Sequence, residues 1–279
     1  MGTVTARRTP HLVGIAGASG SGKTTLAHAL ARSLGDAAVV SLDAYYRDLG
    51  HLDQAARERS NFDSPEAFDW DRCVADLRAL QCGQTVQRPT YDFTTHTSRP
   101  ETEPVEPRPF LIVEGLLVLH HPDVRALLDT MVFLEVDNQT ALDRRIARDR
   151  RERGRDPDAV RAQFARDVQP MFERYVQPTA RWATLALAGT DPVETSVGRL
   201  SAHLATTAVA LLTDSEARFR LLVGSANDGI YRITPDGIFT FSNRTASAIM
   251  DRPETPLIGL SFVRFVRPDW RRKVMRFYR

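Results

Sequence analysis

The sequence predicts an α/β protein, with helices covering a parallel sheet, followed by a short α+β segment. Two observations carry this fold class. Over the first ~190 residues, short β-rich runs alternate with helical stretches, which is the pattern of a parallel sheet with covering helices. The sequence pattern changes near Asp214. After this point, two runs of alternating apolar and polar residues flank an Asp-Gly turn. We therefore expect a larger domain at residues 1–212 and a smaller segment at 214–279.

The elements of the larger domain follow in order. Five runs are predicted strands: His11–Ala16, Ala38–Leu42, Phe110–Val113, Met131–Val136 and Thr184–Ala188. Helices are predicted over Lys23–Leu34, Trp70–Gln81, Gln139–Arg153, Pro157–Tyr175 and Val193–Leu212. The fourth helix has Asp156 as its N-cap and a proline at its first position, where a missing N–H costs nothing.

One connection is long. Residues Gln84 to Pro109 contain five of the chain's 16 prolines. A long Pro-rich connection inside a compact domain is usually a functional flap or a disordered insert, and both alternatives stand at this point.

Composition excludes several classes of protein. The chain of 279 residues is 42% hydrophobic and 26% charged with a net charge of +2, which is typical of a globular protein and offers no basic excess for nucleic acid. The longest apolar run, Phe110 to Leu119, is interrupted by Glu114 and is about half the length needed to span a bilayer. Cys73 and Cys82 lack the spacing of a metal site or a disulfide framework. We expect a cytoplasmic protein with no membrane or nucleic-acid partner.

A phosphate-binding motif follows the first strand. The eight residues that match GxxxxGK[ST] lie between a predicted strand and a helix, the context the motif requires: Gly17, Ala18, Ser19, Gly20, Ser21, Gly22, Lys23 and Thr24, with Thr25 beside them. Backbone N–H groups would hold the phosphates of ATP, Lys23 would reach the β and γ phosphates, and the Thr24 hydroxyl would bind Mg²⁺. Only Lys23 and Lys273 are lysines among 37 basic residues, so lysine is kept where a compact ammonium is needed.

Two carboxylates follow predicted strands. Asp43 and Glu114 should therefore lie at the carboxyl edge of the sheet, where ligands bind in open α/β folds. Asp43 is a candidate general base for an attacking hydroxyl, and both are candidates for holding Mg²⁺, directly or through water. The alternative is that they cap helices or face water.

Four further stretches, read with the phosphate loop, carry a resemblance. "LDAYYRD", "NFDSPEAFDW", "YDFTTHTSRP" and "RRIARDRRERGRD" occur in this order after the motif. With them, the first ~190 residues resemble the uridine kinase (uridine-cytidine kinase) family. The resemblance implies transfer of a phosphoryl group from ATP, with Mg²⁺, to the 5′-hydroxyl of uridine or cytidine. It also implies a P-loop α/β core with a β-hairpin flap and an arginine-bearing lid.

The resemblance assigns the acceptor end. It makes Asp43 the general base and Asp63 the partner of the ribose hydroxyls, and it groups five residues around the pyrimidine: Tyr46, Phe62, Tyr91, Phe93 and His96. Aromatic faces stack on a base, and a histidine can hydrogen-bond its edge. The alternative is that Tyr91 and Phe93 pack the flap onto the core while His96 faces solvent.

The run Arg144 to Asp156 carries seven arginines. Acidic residues interleave with them, and pairing at i,i+4 favours a solvated helix face: Asp149, Glu152 and Asp156. The resemblance implies that Arg145, Arg155 and Gln163 hold substrate. It implies that Arg148 and Arg153 are lid arginines that act on the transferring phosphoryl group, and it leaves Arg144, Arg150 and Arg151 at the surface.

Two positions depart from the family pattern. Ser64 stands where a histidine is usual, and Thr184 replaces an aspartate in the last strand. These departures bear on the adenine end of the site, where Asp191 is the expected contact.

The segment after residue 214 resembles the first part of a PAS domain. Gly229–Thr234 and Ile238–Asn243 are predicted strands around the turn at Asp236, and a helix follows from Arg244. About three further strands would be needed after a helix that ends near Arg279. The segment is thus expected to be a dimerisation or vestigial appendage, or a truncated sensor. No Cys or His follows His203, which excludes a cysteinyl-flavin or His-ligated haem in this segment.

Three functions are compatible with these features. The favoured one is a uridine/cytidine kinase that acts on a small nucleoside. A phosphoribulokinase-like enzyme would act on a phosphosugar instead and would have no use for the aromatic cluster. A nucleotide-binding sensor would use the phosphate loop as a switch and signal through the tail. A homo-oligomer is compatible with each.

Overall fold

A computed structural model describes residues 9–207, 229–251 and 257–271. The chain divides into two compact units, Met1–Leu204 and Ala205–Arg279, which we describe separately. The boundary predicted between residues 212 and 214 lies outside the described residues, as do the last residues of the helix predicted to reach Leu212.

A parallel sheet forms the centre of the first unit. The described strands of this unit are β1 (His11–Gly17), β2 (Ala37–Ser41), β3 (Val86–Asp92), β4 (Thr97–Val105), β5 (Phe110–Glu114), β6 (Thr130–Glu135) and β7 (Leu185–Ala188). Five of them make one sheet in the order β2-β5-β1-β6-β7, with every neighbouring pair parallel. The predicted fold class is confirmed, and each predicted strand of the sheet is present within two residues at either end.

The sheet is covered on both faces. Successive β1 residues point to opposite sides, Leu12 into one core cluster and Val13 into the other, so β1 and β5 read as continuous apolar runs. The register places Glu114 of β5 beside both Ile15 of β1 and Ser41 of β2. The ends of these three strands therefore meet at one edge of the sheet.

The helices include those predicted and two that were not. They are α1 (Lys23–Leu34), α2 (Gln54–Arg59), α3 (Trp70–Gln81), α4 (Pro122–Leu127), α5 (Asn138–Arg153) and α6 (Pro157–Gln163), and a helix over residues 193–207 follows β7. The predicted bounds of α1 and α3 are confirmed, whereas α2 and α4 are too short to show a clear apolar period. Asp156 accepts hydrogen bonds from the N–H groups of Asp158 and Ala159, which confirms the predicted N-cap of α6.

The helix predicted over Pro157–Tyr175 changes type along its length. After α6 the chain is π-helical at Phe164–Val168 and Phe172–Val176, with one α-turn between them, and it ends as a 3₁₀ helix at Gln177–Trp182. Pro170 and Pro178 lack backbone N–H groups within this stretch, and a proline clashes with the carbonyl four residues before it. The wider turns accommodate that clash.

The Pro-rich connection is an ordered hairpin. β3 and β4 pair antiparallel, with a register shift between Pro89 and Thr90. The alternative of a disordered insert is therefore wrong. Proline has no N–H to donate to a neighbouring strand, so a Pro-rich segment does not have the sequence pattern of a strand. A two-stranded hairpin has free outer edges, where prolines are tolerated.

The second unit contains β8 (Tyr231–Ile233) and β9 (Phe239–Ser242), which pair antiparallel. A helix at Arg244–Ile249 follows, and Asn243 caps it by accepting from the N–H of Ala246. The two predicted strands and the helix start are confirmed, while the resemblance to a PAS domain stays a prediction. The helix end expected near Arg279 lies outside the described residues. In the described ranges, no helix has the length and apolar character to cross a membrane.

Candidate active site

The phosphate loop turns from β1 into α1. Gly20 and Gly22 have φ of 82° and 98°, in the left-handed region that favours glycine. A Cβ at Gly20 would lie 2.7 Å from the Ala141 carbonyl oxygen, so only glycine fits under α5. The loop thus points backbone N–H groups and the positive end of α1 at the site.

Lys23 folds back over this loop. Its Nζ donates to the Ala18 carbonyl oxygen at 2.8 Å. Burial lowers the pKa of Lys23, while Glu114 and Asp43 oppose that shift. The ammonium is held where a polyphosphate wrapped by the loop would lie.

Glu114 joins three elements at the sheet edge. Its buried carboxylate accepts from Thr24 Oγ1 at 3.1 Å and from Ser41 Oγ at 2.7 Å. Mg²⁺ prefers oxygen ligands, and proteins usually supply one or two of them beside phosphate oxygens and water. Thr24 and Glu114 fit such a cation, and Ser41, which the sequence analysis missed, orients the carboxylate.

Asp43 lies in a 3₁₀ turn just after β2. Burial raises its pKa to about 6, the neighbouring Glu114 adds to the shift, and Lys23 opposes it. A carboxyl group that titrates near neutral pH is suited to accept a proton in catalysis.

Tyr46 is the centre of an aromatic cluster. Its ring centroid lies 4.4 Å from that of Phe68, 5.3 Å from Tyr91, 5.5 Å from Phe62 and 6.4 Å from Phe93. These rings come from the segment after β2, the segment before α3 and the hairpin. The structure therefore brings together the aromatic residues of three separate sequence stretches, with Phe68 as an unpredicted member.

His96 lies at the hairpin turn with φ of 55°. Its ring stacks on Phe62, with centroids 4.4 Å apart and planes inclined by 18°, so it packs against the cluster instead of pointing into solvent. Tyr91 is buried, and its hydroxyl has no hydrogen-bond partner among the described residues. Phe93 is 45% exposed.

A clamp that the sequence analysis missed holds the hairpin turn. Arg57 of α2 donates to the carbonyl oxygens of Leu52, Gly50 and Thr95. Asp48 Oδ1 accepts from the backbone N–H of Ser98 at 3.0 Å. No local sequence signal marks these residues because their partners are backbone groups, two of which lie 38 and 50 residues away along the chain.

The arginine run is only partly a solvated face, since Arg144, Arg150 and Arg151 are exposed as predicted. Arg145 and Asp149 of α5 are buried, because this side of α5 packs under the loop and α6. Arg145 donates to Ser19 Oγ at 3.0 Å and to Gln163 Oε1 at 3.5 Å. Arg144 is exposed but donates to the Gly189 and Gly20 carbonyl oxygens. The side chains of Glu152 and Arg153 lie outside the described part of the chain.

One cleft of about 1430 Å³ joins these groups. Most predicted site residues line it: Ser19, Gly20, Ser21, Gly22, Lys23, Thr24, Thr25, Asp43, Tyr46, Phe62, Asp63, Tyr91, Phe93, His96, Glu114, Arg145, Arg148, Arg155, Gln163 and Asp191. Gly17 and Ala18 are not among the lining residues. Residues that sequence reasoning missed also line the cleft, including Asn61, Arg144, Arg151 and Asp167.

The carboxylates of Asp63 and Asp191 have different surroundings within the cleft. Burial raises the pKa of Asp63, and the nearby Arg145 guanidinium opposes that shift. Asp191 instead lies 3.7 Å from Arg199 of the helix that follows β7. The cleft therefore has a phosphate end, an aromatic end and carboxylates between.

Comparison with known proteins agrees with this geometry. Residues 12–196 match the model of the phosphoribulokinase / uridine kinase family. The chain is 39% identical to a uridine kinase of Chloroflexus aurantiacus over 204 residues, which are 71% of this chain and 98% of that protein. It is 41% identical to a uridine kinase of Lactobacillus helveticus over 179 residues, 63% of this chain and 85% of that protein.

Two solved structures share the fold. One is a putative fructose transport system kinase from Silicibacter sp. TM1040, with a TM-score of 0.54 and 27% identity, covering 66% of this chain and 92% of that one. The other is phosphoribulokinase from Rhodobacter spheroides, with a TM-score of 0.50 and 15% identity, covering 66% and 74%, which supports the fold alone. With the family model matched from β1 to the helix after β7, the chain belongs to the phosphoribulokinase and uridine kinase family.

Proposed function

We propose that the first unit is a kinase that transfers the γ-phosphoryl group of ATP to the 5′-hydroxyl of uridine or cytidine and yields UMP or CMP. The observation that carries this proposal is the continuity of the cleft. A phosphate loop with Lys23 at one end and an aromatic cluster with His96 at the other share one cavity, with Asp43 among its lining residues. The identity to uridine kinases over two thirds of the chain supports the same substrate class.

Asp43 acts as the general base. The 5′-oxygen attacks the γ-phosphorus, the bond from that phosphorus to the β–γ bridging oxygen breaks, and the 5′-hydroxyl proton passes to an Asp43 carboxylate oxygen. The raised pKa of Asp43 suits this step because the group accepts a proton more readily than an ordinary aspartate. ADP leaves with the bridging oxygen.

Positive groups stabilise the transferring phosphoryl group. Lys23 and the lid arginines Arg148 and Arg153 would stabilise the negative charge on its oxygens, since fixed charges are most effective away from bulk water. Mg²⁺, held by Thr24 and Glu114 with Asp43 near, would neutralise charge on the phosphates. The backbone of residues 17–22 and Thr25 would hold the rest of the nucleotide, with Asp191 at its adenine end.

The aromatic end selects the acceptor. Tyr46, Phe62 and the hairpin residues Tyr91 and Phe93 offer flat faces for a pyrimidine, and His96 offers a ring nitrogen for its edge. The ribose hydroxyls would be held by a second set of side chains: Asp63, Arg145, Arg155 and Gln163. A phosphoribulokinase-like enzyme would act on a phosphosugar and would have no use for this aromatic cluster, which disfavours that alternative.

We place the enzyme in the cytoplasm, where its ATP is supplied, and treat the second unit as an appendage to the kinase. The alternative of a nucleotide-binding sensor predicts ATP binding with no acceptor-dependent turnover.

A coupled assay of ADP release tests the proposal. Purified protein is given MgATP with uridine, cytidine, adenosine or ribulose 5-phosphate, and the product is identified by mass. We expect uridine- and cytidine-dependent ADP release with UMP and CMP as products. Turnover only with ribulose 5-phosphate, or none with any acceptor, would refute it.

A further inference from the structure

Three arginines that line the cleft surround one buried carboxylate. Asp149, on α5, is fully buried, whereas Arg148 and Arg155 beside it are 38% and 34% exposed. Arg148 Nε lies 3.2 Å from Oδ1, Arg155 Nη1 lies 3.4 Å from Oδ2, and Arg145 Nε lies 3.9 Å from Oδ2. All three arginines line the cleft.

The local backbone explains how these groups meet. Arg145 and Arg148 reach Asp149 from within α5, at four and one residues before it. The helix ends at Gly154, which has φ of 60°, and the N–H groups of Gly154 and Arg155 both donate to the Asp149 carbonyl oxygen. This reversal returns the Arg155 side chain to the carboxylate. The backbone carbonyl of Asp149 thus accepts the hydrogen bonds that end the helix, while its side-chain carboxylate binds Arg148 and Arg155.

Charge explains what the carboxylate can do. Three guanidinium groups this close repel one another and would spread apart in the open cleft. A buried carboxylate offsets part of that repulsion, and charge-assisted hydrogen bonds fix the direction of the Arg148 and Arg155 guanidinium groups. Asp149 offsets the charge of Arg148 and Arg155 only in part, which leaves positive charge for the phosphoryl oxygens of the substrate.

We propose that Asp149 is a positioning residue for phosphoryl transfer, which holds Arg148 in place before the phosphates arrive. This inference rests on the proposed kinase function. Because preorganised groups gain most at the transition state, loss of the carboxylate should affect turnover more than substrate binding. A residue needed only for folding would not produce that division.

The test is the substitution Asp149→Asn, which keeps the shape and the backbone hydrogen bonds of Asp149 but removes its charge. We expect kcat to fall about 10²-fold, the usual effect of a small misplacement of catalytic groups, with KM for ATP within threefold of wild type. Binding of MgADP, uridine and aluminium fluoride, which mimics the transition state, should weaken more than binding of MgATP. Asp143→Asn on the same helix, where Asp143 accepts only from Gln139 among the contacts seen, is the matched control and should keep wild-type kcat.

A second variant covers loss of folding. Asp149→Glu keeps the charge but moves it by one methylene, so kcat should fall at least fivefold with KM for ATP unchanged. If circular dichroism shows that Asp149→Asn is unfolded, the Glu variant decides alone. A loss of less than fivefold in kcat in the folded variants would overturn the inference. Wild-type protein without nucleoside turnover in the same assay would instead refute the proposed function.

Discussion

Thr24, at the start of α1, donates its hydroxyl to Glu114, at the end of β5, across 3.1 Å. This bond joins the phosphate loop to the next strand of the sheet, and Ser41 at the end of β2 occupies the second carboxylate oxygen. Three neighbouring strands therefore determine one oxygen cluster beside Lys23.

Glu114→Gln should raise the Mg²⁺ concentration needed for half-maximal activity by about 10- to 100-fold, since groups that hold or orient a cation have effects of this size. Turnover is measured against total Mg²⁺ at fixed ATP. Glu106→Gln, an exposed site, serves as control. An unchanged Mg²⁺ requirement in the Glu114 variant would remove that residue from the cation site.

Asp43→Asn should retain ATP binding but lose about 10² to 10⁴ in kcat, the usual contribution of a positioned general base. The measurement pairs steady-state turnover with calorimetric titration of ATP. Asp36→Asn, on the loop before β2, controls for a lost carboxylate. Turnover within a few-fold of wild type would exclude Asp43 as the base.

The pH dependence of kcat/KM should show one acid limb near pH 6. Because the pKa of Asp43 is raised to about 6, the base is protonated and inactive below that pH and ionised above it. The residual rate of Asp43→Asn should lack this limb. A limb of equal midpoint in the variant would assign it to another group.

The same shift predicts a stability change. Folded Asp43 keeps its proton up to about pH 6, whereas the ordinary pKa is 3.8, so its contribution to stability falls as pH rises between these values and is lost above them. Asp43→Asn should therefore stabilise the fold by on the order of 1 kcal/mol at pH 8, and by less at pH 4.5. Thermal melting at both pH values measures this. An equal or larger gain at pH 4.5 contradicts the sign.

His96→Ala should raise the KM for uridine by roughly 5- to 150-fold, equivalent to about 1 to 3 kcal/mol of lost stacking and hydrogen bonding, with the KM for ATP nearly unchanged. Tyr91→Ala should act in the same direction. His28→Ala, at an exposed position of α1, is the matched control. A selective loss of ATP affinity would place the hairpin at the wrong end of the cleft.

A protein that ends at Thr213 should retain kinase activity and melt at least as cooperatively as the full chain. The first unit has its own sheet and three core clusters, and 71% of this chain matches 98% of the Chloroflexus relative's length. Turnover, melting and sedimentation are compared for both lengths. Loss of activity in a folded truncated protein would make the tail a required regulator.

Local signals explain which parts of the fold were predictable. α1 and α3 have clear starts and an apolar period, and their bounds agree with the sequence. The hairpin was predicted only from the family resemblance, because Pro89 and Pro100 are poor strand formers in general but tolerable at free edges. The helix α2 is too short to show an apolar period from which it could be predicted.

The site shows the same division. Motif residues such as Lys23 and Asp43 follow strand ends, so their meeting at one edge could be inferred. Burial of Asp149 could not, because pairing at i,i+4 looks the same on a solvated helix and on one packed under a loop. Arg57 binds backbone carbonyls, which any sequence provides, and no residue type marks its partners.

The burial of Lys23 has a practical consequence for chemical labelling. Apart from Lys273, it is the only lysine of the chain. Burial lowers the pKa of its amine, which favours the uncharged, nucleophilic form. An acyl-phosphate derivative of ATP would deliver its acyl group to this amine, and intact-mass spectra would show the adduct without digestion. Nucleotide occupancy of the cleft could thus be read directly from the mass of the whole protein.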